Sequence, residues 1–80
     1  MHYEDLTLKE LKVSEENWVA KFDSAKGGSF LFFVADSNVN KEELEESGMI
    51  IGKSFLGTIK NDRLVALDGF SYINSKSKSR

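Results

Sequence analysis

The sequence predicts a mainly β domain. It reads as a small five-stranded antiparallel, partly closed OB-like barrel, in the order β-β-β-α-β-β, with one short helix at about 40–47. Three observations predict this. Phe30-Leu31-Phe32-Phe33-Val34-Ala35 is β-rich and apolar on both alternating sets of side chains. A strand apolar on both faces needs cover on both. In a chain of 80 residues, that cover comes from closing a barrel, from a helix layer or from a partner chain. The chain also has no proline, a residue kept out of central strands and helix interiors because it lacks an N–H donor. Finally, Asn40 to Ser47 reads as one short helix between the third and fourth strands, where a five-stranded OB-type barrel carries its helix.

The elements follow in chain order. Leu6, Leu8, Leu11 and Val13 are spaced two, three, two, which fits a strand with a bulge near Lys9-Glu10. Thr7 and Glu10 also match a capping box, which would start a short helix instead. Residues 14–28 have two readings. As a strand, Trp18, Ala20 and Phe22 alternate with Lys21 and Asp23, and Ala25-Lys26-Gly27-Gly28 makes a hairpin turn. As a helix at about 15–26, Ser14 is the N-cap, Gly27 the stop, and Trp18, Phe22 and Ala25 share a face. The strand is the main reading. The alternative fold packs that second helix on a four-stranded sheet.

In the third strand, strict alternation sends Phe30, Phe32 and Val34 one way and Leu31, Phe33 and Ala35 the other. Asn40 to Ser47 reads as the helix, with Asn40 as N-cap, Glu43 at the third position and Gly48 past the end. Leu44 is its only large apolar residue, so it packs as a shallow plug. Met49 through Ile59 reads as a long strand bent at Gly52 or Gly57. Asn61-Asp62 is a tight turn, setting Ile59 opposite Leu64 and Thr58 opposite Val65. Asp68-Gly69 breaks the last strand, and Phe70 to Ile73 continues it.

Composition narrows the function classes. The chain is too short for a Rossmann domain, a kinase or a P-loop NTPase. It has no cysteine and a single histidine, His2, so no cysteine nucleophile, thiolate metal site or histidine cluster exists. The net charge is −2. It divides unevenly: residues 1–73 hold 13 acids and 8 bases, a net of −5, and the tail 74–80 adds three bases. The tail is expected to be disordered, leaving 1–73 as one globular domain. The longest apolar run is six residues, and no leader is recognisable near the start. A cytoplasmic location is expected.

Four patterns bear on chemistry. Gly52-Lys53-Ser54 resembles the end of a phosphate-binding loop, but Ser47 stands where its first glycine belongs and no helix follows. Asp36-x-Asn38-x-Asn40 with Glu42 resembles the start of a calcium loop, yet Lys41 and Ser47 occupy the glycine and bidentate glutamate positions. Glu42, Glu43, Glu45 and Glu46 surround Leu44 and give 41–47 a charge of −3. They are the candidate docking surface for a basic partner, set against the plainer reading as a solvated helix. Lys53, Phe55, Lys60, Arg63 and Tyr72 mix cations and rings on the last hairpin, as single-stranded nucleic acid requires; the plainer reading is core aromatics and protective edge charges.

No cluster offers a nucleophile, base and orienter together, so no catalytic residue, cofactor or metal is expected. The expected function is a non-enzymatic protein–protein interaction module: an inhibitor, an immunity-type protein or an accessory subunit. Its partner is a protein, and a homodimer through strand 30–35 is a candidate. The alternative is an OB-like single-stranded nucleic-acid-binding domain using the last hairpin. A membrane partner is not expected.

Overall fold

The computed structural model describes residues 1–73, so the expectation for the tail 74–80 lies outside the described residues. Five strands and a helix follow one another: β1 (His2–Ser14), β2 (Asn17–Ser24), β3 (Ser29–Asp36), α1 (Lys41–Glu46), β4 (Ser54–Lys60) and β5 (Arg63–Leu67). All neighbouring strands are antiparallel, in the spatial order β3-β2-β1-β4-β5. The two ends of this sheet curl towards each other. Beyond β5 the chain turns at Asp68-Gly69, and Ile73 forms a parallel bridge to Ala35 at the end of β3. The result is a nearly closed barrel with the OB-like order.

The second helix at about 15–26 does not form. Those residues are the end of β1, a two-residue turn at Glu15-Glu16, and β2. Trp18, Ala20 and Phe22 alternate onto the face where Leu8, Leu11 and Val13 of β1 meet them. A helix would have packed Trp18, Phe22 and Ala25 together, but only the strand lets Phe22 reach across to Phe55 of β4. Their rings meet edge to face at 5.6 Å, an arrangement worth about 0.5–1.5 kcal/mol beyond burial. The Thr7-Glu10 capping box likewise gives way to β1.

Bulges do much of the curling. The expected one in β1 falls at Lys9: Leu8 pairs with Phe22, and Glu10 with Lys21. Two others change the sequence reading. In β3, Trp18 pairs with Ala35 while Val19 pairs with Phe33, so Val34 is the extra residue. Alternation therefore fails there, and Val34 and Ala35 are both fully buried. In β5, Ile59 pairs with Leu64 as expected, but Thr58 pairs with Ala66 rather than Val65, which bulges out. A bulge adds one residue to one strand and sharpens the local twist.

The helix is capped as its sequence indicates. Asn40 Oδ1 accepts from the Glu43 N–H at 2.9 Å, and the Glu43 carboxylate accepts from the Asn40 N–H at 3.3 Å. Gly48 follows at φ 112°, a left-handed geometry suited to glycine. Leu44 is fully buried with Val39 and Met49 and fills one end of the barrel. The long strand expected over 49–59 is shorter. Met49 plugs the core, Gly52 turns at φ 96°, and β4 starts at Ser54.

Gly57 is not a bend. It faces the barrel interior, where an added Cβ would stand 2.5 Å from Leu6 Cδ1 and 2.7 Å from Leu64 Cδ1. Both leucines lie across the β4 backbone because nothing is there to push them off. Gly57→Ala is therefore expected to destabilise the fold by about 1–3 kcal/mol, the usual cost of overpacking. Leu44→Ala, which empties the plug, should cost about 2–5 kcal/mol. Urea unfolding followed by tryptophan fluorescence measures both; an unchanged midpoint for either would contradict this packing.

Candidate interaction surface

The outer face of β1, β2 and β3 is built by the register of the three strands. Lys12, Val19 and Phe33 form one row across them, and Glu10, Lys21 and Leu31 form the next. Each row runs from a charged residue on β1 to a large apolar one on β3. Leu31 and Phe33 are 61% and 58% exposed. Val19 also points outward, yet it is buried between its neighbours Lys12 and Phe33, because side chains on adjacent strands stand only about 5 Å apart. Together these residues line a shallow cleft of about 490 Å³, with Ser14 and Ser29 at its ends.

The other face of β3 belongs to the core. Phe30 and Phe32 pack against the buried cluster, and Val34 lies within it. The two-faced apolar strand is thus covered on one side by barrel closure and left open on the other. Lys12 and Lys21 are offset by Glu10 and Asp23 on the same face, so its charge is balanced. A second cleft of about 430 Å³ lies over β4, between β1 and β5, lined by Tyr3, Leu56, Thr58 and Ala66 among others. It lacks a pair of adjacent, strongly exposed apolar side chains on one strand.

The residues expected at a site are placed as follows. Glu42, Glu45 and Glu46 are exposed on α1, while Glu43 is half-buried and engaged in the capping box. Of the five hairpin residues, Phe55 is in the core at 8% exposure. Its ring is taken: Phe22 meets it edge-on, and Lys53 Nζ lies 5.2 Å from its centroid. Lys60 and Arg63 flank the Asn61-Asp62 turn, next to the start of β1 through the Ile59–His2 pair. Tyr72 donates its hydroxyl hydrogen to Asn17 Oδ1 at 2.9 Å, and Asn17 pairs with Ser14 at the far end of β1. Twelve residue steps separate those two ends, up to roughly 40 Å along a strand. The five residues therefore do not form one surface.

The remaining patterns are absorbed locally. Asp36 Oδ1 accepts from the Asn38 N–H at 2.9 Å, and Asn40 caps the helix. Gly52 and Lys53 form a turn whose backbone bonds to Leu8 on both sides. Among the described residues, no three His, Asp or Glu side chains are grouped closely enough to hold a metal ion. No helix among them is long and apolar enough to cross a membrane.

The residues missed by the sequence reading are Lys12, Val19 and Lys21. The two-faced run at 30–35 pointed to the surface, but its neighbours depend on the bulge at Lys9 and the registers of two hairpins.

One carboxylate is electrostatically distinct. Glu4 accepts a hydrogen bond from the Ser24 hydroxyl and contacts His2 Nε2 at 2.6 Å. The Ser24 bond first, then the His2 bond, hold its carboxyl below the ordinary 4.5. A lowered carboxyl stabilises the fold above its ordinary pKa, and that contribution is lost as pH falls through the lowered value. Glu4→Gln should therefore lower the urea midpoint at neutral pH, by a margin that shrinks as pH falls through the lowered carboxyl value. A gap that stays constant with pH would refute the assignment.

Comparison of the chain with protein-family models, with curated proteins and with solved structures gives no match.

Proposed function

We propose that this chain is a small, non-enzymatic protein–protein interaction module, of inhibitor, immunity-type or accessory kind, acting in the cytoplasm. It docks a protein partner on the outer face of β1, β2 and β3. One observation carries the reading: Leu31 and Phe33 are more than half exposed beside each other, on a strand whose opposite face is core. Burying an apolar side chain of this size is worth about 1.5–3 kcal/mol. The pair would form the apolar centre of an interface, with Lys12, Lys21 and Glu10 as its polar rim. Glu42, Glu45 and Glu46 on α1 add a negative field that speeds encounter with a basic partner.

A second reading is supported by a different combination on the same face. Phe33 stands near Lys12 and Lys21, and OB-type barrels bind oligonucleotides on their second and third strands. Binders of single strands stack successive bases on several rings, whereas this face offers one exposed ring and two cations offset by Glu10 and Asp23.

Three measurements separate the readings. Tagged chain purified from its native host should retain a stoichiometric protein that Leu31→Ser/Phe33→Ser loses. The variant Glu42→Lys/Glu45→Lys/Glu46→Lys should slow association with that protein, most at low salt. If the double serine variant keeps the same partners, the docking surface is elsewhere. Salt-sensitive binding of a labelled oligonucleotide, lost on Lys12→Glu/Lys21→Glu, would replace the first reading by the second.

A further inference from the structure

We propose that the Ser29–Phe33 edge of β3 pairs, antiparallel and two-fold symmetric, with the same edge of a second copy of this chain. The barrel is sealed only at its end: Asp36 N–H donates to Ile73 O, and Ile73 N–H to Val34 O. Among the described residues nothing pairs with the outer edge of β3 from Ser29 to Phe33. The direction of its backbone follows from the hairpin. Ser24 N–H donates to Gly28 O, which makes 24–28 a bonded pair. Alternation along the antiparallel ladder then assigns Phe30 and Phe32 to β2, and turns the N–H and C=O of Ser29, Leu31 and Phe33 to the open edge. Beside them, between β3 and β5, runs an apolar groove of about 290 Å³ lined by Leu31, Phe32, Phe33 and Leu64.

The occupant is a strand, because three donors and three acceptors stand in a row. That the strand is this chain's own follows from self-complementarity. A two-fold axis at Leu31 sets Leu31 against its copy and Phe33 against the small Ser29 of the copy, on both sides. All six open backbone groups of each copy are then satisfied, and the exposed side chains merge into one apolar platform. Charge does not oppose it, since residues 29–35 carry none. The other free edge contrasts: β5 starts with Arg63 and bulges at Val65, two devices that block edge pairing. β3 has neither between Ser29 and Phe33.

Leu31 and Phe33, 61% and 58% exposed, each offer on the order of 100 Å², so a strand-edge interface of this extent lies below the roughly 1,200 Å² at which stable specific interfaces begin. The dimer should therefore be concentration-dependent, appearing between about 10 µM and about 1 mM. Sedimentation velocity over that range, at unchanged ionic strength, is the test. Leu31→Lys and Leu31→Glu each place like charges on the axis and should each be monomeric; mixed in equal amounts they should form a heterodimer. Amide hydrogen exchange on the wild type should show Leu31 and Phe33 gaining protection with concentration, while Phe30 and Phe32 stay unchanged. A wild type that is monomeric throughout overturns the proposal, as does a dimer that survives both charge variants or leaves the Leu31 and Phe33 amides unprotected. The readout is self-association, so it fails or succeeds apart from capture of a different protein on the outer face.

Discussion

β1 pairs with β4 through residues 2–7 and with β2 through residues 6–14, and its bulge at Lys9 lies just past the overlap. One 13-residue strand therefore belongs to both halves of the sheet, and the halves can only face each other if it bends. The extra residue at Lys9 supplies that bend. With it, Leu6 and Leu8 on one side of the bulge and Leu11 and Val13 on the other still meet β2 on one face. Without it, one half of β1 would turn its leucines to solvent, because a one-residue slip exchanges the faces of a strand.

Closure then decides how much of so short a chain can be buried. An open five-stranded sheet would leave one apolar face wet. Curling brings Leu6 and Leu8 of β1, Phe22 of β2, Val34 of β3 and Ile59 of β4 into one cluster, and Leu44 with Met49 stops the open end. Gly57 is the counterpart of these large residues: it leaves room for Leu6 and Leu64 to cross the β4 backbone. Trp18 ties the plug to the wall, its indole N–H donating to Val39 O at 2.6 Å.

The surface features are by-products of the same geometry. The bulge at Val34 rotates the end of β3 inward, where Ile73 seals it, and leaves the preceding stretch uncharged and open along its outer edge. An apolar outer face and an open edge thus occur on the same five residues. Leu31 and Phe33 stay exposed at a cost to so small a protein, whereas the carboxylates of α1 are at ease in water.

Local chemistry was legible in the sequence. The bulge in β1, the Gly27-Gly28 hairpin, the Asn61-Asp62 turn at φ 53° and 64° and the Asn40–Glu43 capping box all rest on residues within a few positions of one another. Element order followed from them, and with it the OB-like barrel. Strand identity over 17–24 was the main reading of its alternation, and as a strand Phe22 meets Phe55, a contact spanning 33 positions. The bulges at Val34 and Val65, the burial of Phe55 and the separation of Lys60 from Tyr72 depend on which strands become neighbours. Side-chain alternation is a property of one strand and can be read from it. Register is a property of two, and it was register, not composition, that brought Lys12, Val19 and Phe33 into line and decided which apolar residues the barrel encloses and which it leaves outside.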